Sequence, residues 1–105
     1  MHRPTGRYAA LTQRLVDSVL TTPGQTTSEL RRAVLERGKV PAPLASYVDK
    51  VFLHAYRVTD ADLAALQRAG NSDDAVFEVT VVAAVGAALE RLERGLAALR
   101  GQEPR

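Results

Sequence analysis

The segment from Ser72 to Leu99 constrains this 105-residue chain more than any other. Taken alone, Val79-Thr80-Val81-Val82 reads as a strand, because β-branched residues suit a pleated backbone. Its surroundings favour a helix. Ser72 is an N-cap residue, Asp73 and Asp74 sit in the first turn where the helix dipole favours anions, and the run continues through Ala83 to Leu99 before Gly101. Around Val81–Leu89 such a helix is apolar on every side, which predicts a buried central element. Ala83, Ala84, Gly86, Ala87 and Ala88 would let neighbouring backbones come close. Further on, Val85, Leu89, Leu92, Leu96 and Leu99 alternate steps of four and three, a heptad-like seam backed by a Glu90–Arg94 pair one turn apart. On so small a domain, that seam predicts a subunit contact.

The preceding residues divide into four shorter helices. Tyr8, Leu11, Leu15 and Val19 recur at helical spacing and stop before the Pro23-Gly24 turn. Thr26 and Glu29 form the pattern of a capping box opening a second helix, which carries Leu30, Val34 and Leu35 and ends at Gly38. After the Pro41-Ala42-Pro43 link, Pro43 suits the first turn of a third helix reaching about Tyr56, with Leu44, Val48, Val51, Phe52 and Ala55 on its apolar side. Thr59 caps a fourth, with Asp60 and Asp62 in its first turn, Leu63 and Leu66 facing inward and Gly70 as its stop. The expected fold is all-α: a small bundle of about five helices with a long C-terminal helix. Residues 1–7 read as a tail, 8–101 as one domain and 102–105 as frayed.

Composition removes several chemistries. The chain has no cysteine, which excludes disulfides, zinc–thiolate sites and any CxxC redox pair. No apolar run is long enough to span a bilayer and the N-terminus has no signal-peptide core, so the expectation is a cytoplasmic protein with no membrane partner. Charge is polarised. Residues 1–58 hold nine Lys/Arg against four Asp/Glu, a balance of +5, and residues 59–105 hold five against eight, a balance of −3. Such a dipolar chain suits head-to-tail pairing or a charged partner, or carries chance clusters of solvated residues.

Pro43 to Leu99 resembles the carboxymuconolactone decarboxylase / alkylhydroperoxidase D-like superfamily. The resemblance lies in Val48-Asp49-Lys50, Ala55-Tyr56-Arg57-Val58-Thr59-Asp60-Ala61-Asp62, Ala64-Ala65-Leu66, Ala69-Gly70, Ser72-Asp73-Asp74, Phe77-Glu78-Val79-Thr80 and the small-residue helix that follows. It implies an all-helical, alkylhydroperoxidase D-like fold and a habit of forming dimers, trimers or hexamers. The family's thiol members work through a CxxC pair on an upstream helix, helped by a nearby His and Glu. This chain lacks the cysteines, and its first 42 residues show no counterpart of that helix, so peroxidase activity does not carry over. The family's thiol-free branch, a lactone decarboxylase working by acid–base chemistry, stays open.

Two sets of residues are candidates for chemistry. Helical steps back from Leu89, Val85 and Val82 reach Glu78; a carboxylate on that stripe would be desolvated, its pKa raised, and suited to general acid/base work. Alternatively, Glu78 lies in the second turn near the surface and pairs with an arginine. Tyr47, Lys50, His54 and Arg57 follow at i, i+3, i+7 and i+10, either a cationic stripe able to hold an anionic substrate, with His54 as a second catalytic group, or a solvated polar face. A single His without a partner at ligand spacing argues against a metal, and no nucleotide, flavin or other cofactor signature is present.

Thr59 to Glu78 mimics a helix-turn-helix, but the second helix would point Asp73, Asp74 and Glu78 at phosphates, which argues against nucleic acid. Arg31-Arg32, with Arg37 and Lys39, either touches phosphate or forms a charged helix face. The leading expectation is a non-redox member of the resembled superfamily acting as a helical oligomerising or accessory subunit, as a homo-oligomer or beside a thiol-bearing relative. The alternative is a cofactor-free acid/base enzyme on a small lactone or carboxylate.

Overall fold

The computed structural model describes residues 7–101. Five helices follow one another: α1 (Arg7–Thr21), α2 (Ser28–Leu35), α3 (Ala42–His54), α4 (Asp60–Arg68) and α5 (Asp73–Leu99), with a 3₁₀ turn over Ala55–Arg57 between α3 and α4. No strand occurs among the described residues. The expected tail over residues 1–6 and frayed end over 102–105 lie outside the described residues, whereas Arg7 already belongs to α1.

Local chemistry accounts for the helix ends. Thr59 Oγ1 accepts from the Asp62 amide while the Asp62 carboxylate accepts from the Thr59 amide, a complete capping box. Ser72 Oγ accepts from the Ala75 amide at 3.1 Å and starts α5. Gly70 takes φ +98°, a left-handed value that costs glycine nothing, and ends the α4 segment.

Three boundaries differ from the sequence reading. The cap of α2 is Thr27, whose side chain accepts from the Leu30 amide, because the Thr26 hydroxyl is engaged elsewhere. The left-handed residue after α2 is Arg37 (φ 54°), not Gly38, whose amide instead donates to the Ala33 carbonyl at 2.7 Å. Arg37 gains in return an ion pair with Asp49 at 3.1 Å and a place 4.9 Å over the Phe52 ring. Finally, α3 ends at His54, and Ala55 is exposed rather than part of its apolar side.

The helices converge on the inward face of α5. Leu44, Val48, Val51 and Phe52 from α3, Val34 and Leu35 from α2, Leu66 from α4 and Leu20 from α1 enclose Val79, Val82, Ala83 and Ala87. Gly86 is where the backbones come closest. A Cβ there would lie 2.6 Å from the Phe52 ring and 3.1 Å from the Leu35 carbonyl oxygen. Two expectations change at this level. The centre of α5 is not buried on every side, since Val81, Ala84 and Ala88 are exposed. The predicted apolar stripe of α1 is its buried face only at its end: Val19 packs inward with Val16 and Leu20, whereas Tyr8, Leu11 and Leu15 are exposed. Gly86→Ala should therefore destabilise the fold by about 1–3 kcal/mol through overpacking, despite alanine's better helix propensity; a urea melt at neutral pH reads this directly.

Candidate functional site

The structure takes apart the cationic stripe predicted on the third helix. Tyr47 is 6% exposed, and its hydroxyl lies 2.5 Å from Thr80 Oγ1. Thr80 already donates to the Val76 carbonyl, so Tyr47 is the donor of that bond. Lys50 Nζ donates to both carboxylate oxygens of Asp62 at 2.9 Å. That contact, with the Thr59 amide, lowers the Asp62 pKa from its ordinary value. His54 ends α3 in an exposed position, edge-on to Tyr56 at 5.9 Å, and Arg57, beyond the helix end, lies 5.7 Å over the Tyr56 ring. A core tyrosine, a lysine paired within the fold, an exposed histidine at the helix end and an arginine beyond it do not form one anion site.

Glu78 is likewise not the desolvated acid predicted for it. Its Oε2 accepts from the Gln25 amide at 2.8 Å, and its Oε1 accepts from the Thr26 amide at 2.8 Å and the Thr26 hydroxyl at 2.7 Å. Arg31 Nη2 stands 3.8 Å away. These donors, the Thr26 hydroxyl first and the Gln25 amide next, outweigh burial and hold the carboxyl below its ordinary pKa. The alternative of an arginine partner is the one realised. Glu78 and His54 also sit at different levels of the bundle. Phe52, two residues before His54, has its ring at Gly86 and its carbonyl accepting from Arg91 at 3.4 Å. Those positions are roughly 12 and 20 Å along α5 from Glu78 at the helical rise.

Arg31 is the residue that sequence reasoning misplaced. It is 4% exposed and belongs to no charged surface. Its Nε donates to Thr26 Oγ1, its Nη1 to the Val19 and Thr22 carbonyls at the end of α1, and its Nη2 to the Thr26 carbonyl. The available signal was its register, since Arg31, Val34 and Leu35 share one face at i, i+3 and i+4. Together Arg31 and Glu78 tie the α1–α2 connection to the second turn of α5. Gly24 is part of this closure, because a Cβ there would fall 2.5 Å from Glu78 Oε2. Above the tie lies a cleft of about 210 Å³ between α1 and α5, walled by Val19, Phe77 and Val81, with Arg31 and Glu78 at its floor.

The largest uncommitted feature is a surface. Phe77, Val81, Ala84, Ala88, Leu92, Gly95 and Leu99 are all exposed and fall on one face of α5. No charged residue interrupts them over roughly 33 Å of helix. Phe77 is 69% exposed and Leu99 85%, values unusual for large apolar side chains on a well-packed helix. The seam predicted from the sequence is therefore split: Val85 and Leu89 turn toward the core, while Leu92 and Leu99 belong to the outward face. The sequence signal for this face is an eleven-residue recurrence, Phe77–Ala88–Leu99, Val81–Leu92 and Ala84–Gly95.

Fold and surface together define a small all-α bundle with a long C-terminal helix open along one side. No protein-family model matches the chain, and no curated protein or solved structure matches it significantly.

The carboxylates make the fold pH-dependent. Glu78 and Asp62 both have folded-state pKa values below their ordinary ones. Their stabilisation is fully present above the unfolded-state values and is lost as pH falls through the folded ones. Unfolding midpoints should hold from neutral pH down to about 5 and then fall. Glu78→Gln should cost about 1–2 kcal/mol at pH 7 and make the acid decline shallower; denaturant melts at pH 7 and pH 3.5 test both.

Proposed function

We propose that this chain is a non-redox, alkylhydroperoxidase D-like helical subunit whose role is assembly: it associates with copies of itself and works as an oligomerising or accessory component. The observation that carries this reading is the uncharged, outward face of α5. Apolar surface of that extent is stabilised by being covered, and in a water-exposed bundle the usual cover is another protein surface. The exposed Leu11 and Leu15 of α1 add apolar area beside the cleft that Phe77 and Val81 line. The sequence phrase from Ala55 to Thr80 supports the same reading, because the superfamily it resembles has a habit of forming dimers, trimers or hexamers.

The acid/base alternative has less support. Its chosen carboxylate is ionised and its oxygens are occupied by the Gln25–Thr26 backbone and the Thr26 hydroxyl. A general base works best with a pKa near the operating pH, and a carboxylate held below its ordinary value by these donors is a weak proton acceptor at neutral pH.

Size-exclusion chromatography with light scattering, run from low to high micromolar concentration, tests the proposal. The expected mass is a multiple of 11.3 kDa at the upper concentrations, with dissociation on dilution. Leu92→Glu, placing a charge at the middle of the exposed face, should shift the protein to monomer with its helical content unchanged. A chain that stays at 11.3 kDa throughout would overturn the reading.

A further inference from the structure

We infer that α5 pairs with α5 of a second copy, antiparallel about a two-fold axis that passes beside Ala88. This deepens the proposed self-association and rests on it. Three features of the outward face support this pairing.

The first is size complementarity. Ala88 is the midpoint of the face, so antiparallel pairing sets Phe77 against the copy's Leu99, Val81 against Gly95, Ala84 against Leu92 and Ala88 against itself. Within the crossing, each large residue meets a small one, which allows a close axis-to-axis approach of about 8 Å. At the ends, Leu99 meets Phe77 at the mouth of the cleft between α1 and α5, where Val19 and Val81 supply further apolar wall. A parallel, in-register pair would instead oppose Phe77 to Phe77 and Gly95 to Gly95, wedging the helices apart at one level and leaving a gap at another.

The second is charge. Asp73 and Asp74 occupy the first turn of α5, and Arg100 caps its end. Antiparallel pairing brings acidic and basic ends together at both extremities and opposes the helix dipoles, whereas parallel pairing sets like against like.

The third is area and shape. Positions repeating every eleven residues stay on one side of a nearly straight helix, so contact persists along the whole face instead of drifting away. A contact about 33 Å long and one helix diameter wide covers roughly 330–400 Å² per partner, to which Leu11 and Leu15 of α1 add at its edge; that is the small end of specific interfaces and fits a pair that dissociates on dilution.

The absence of native cysteine makes the test clean, because any disulfide reports an introduced pair. Ala88, Val81 and Gly95 are all exposed, and a Cβ at Gly95 meets nothing within 4 Å. Single variants Ala88→Cys, Val81→Cys and Gly95→Cys are oxidised mildly, alone and as the Val81→Cys plus Gly95→Cys mixture, and resolved by non-reducing electrophoresis beside light scattering. At the two-fold axis, Ala88→Cys falls within the roughly 4.4–6.8 Å between Cα atoms that a disulfide spans, and most of the protein should cross-link. Val81→Cys alone is displaced from its copy by about 21 Å along the helix and should not cross-link, but the mixture with Gly95→Cys should. Equal self-cross-linking of all three variants would mean a parallel pair and overturn the inference. An oligomer that cross-links in none of them would place the interface elsewhere, overturning the inference while leaving self-association intact. A monomer would defeat both.

Discussion

Arg31 is the one charged side chain among the described residues that is fully buried, and the amino-terminal part of the fold is arranged around it. A guanidinium removed from water must have its N–H groups satisfied, and here carbonyls of Val19, Thr22 and Thr26 and the Thr26 hydroxyl accept from it. Two of those carbonyls lie at the C-terminal end of α1, where the helix dipole also favours a cation. Glu78 completes the balance of charge from across the bundle. The result is a polar knot that fixes where α1 ends, how the chain turns and where α2 begins, all relative to α5.

That knot has a consequence for the surface. With α1 and α2 tied at the second turn of α5 and α3 and α4 packed beside them, the packed helices leave the outward face of α5 uncovered. Phe52 against Gly86 draws the bundle tight at its centre, so the core is complete without that face. The polar groups with the most suggestive chemistry, Glu78 and Lys50, are spent on holding helices and loops together. What the packed helices leave uncovered along α5 is an apolar face.

The fold was legible in the sequence because its punctuation is local. Thr59 and Ser72 cap through their own side chains, and Gly70 stops the chain through its own φ, so these boundaries follow from adjacent residues. Where a distant residue intervenes, local reading shifts. Thr26 was assigned the cap of α2, but Glu78, 52 residues on, recruits its hydroxyl, and Thr27 caps instead. The elevated pKa expected of Glu78 failed for the same reason, since its donors come from a loop whose position only the tertiary structure sets. The polar stripe from Tyr47 to Arg57 assumed an unbroken helix, whereas the backbone leaves the helix at His54. The long helix is legible in the sequence, but its middle, free of charge from Val79 to Leu89, hides which side is covered; periodicity of small and large residues, not hydrophobicity alone, distinguishes the outward face.

The proposed self-association makes the outward face of α5 the surface through which the protein meets its own copy. Methyl NMR on a dilution series tests it most directly, because each methyl reports its own surroundings. Resonances of Val81, Ala84, Ala88 and Leu92 should move together with concentration, while those of Val34, Val79 and Leu66, fully enclosed in the core, stay fixed. Shifts that cluster elsewhere, around Leu53 and Ala55 for instance, or no concentration dependence in any methyl, would contradict the account.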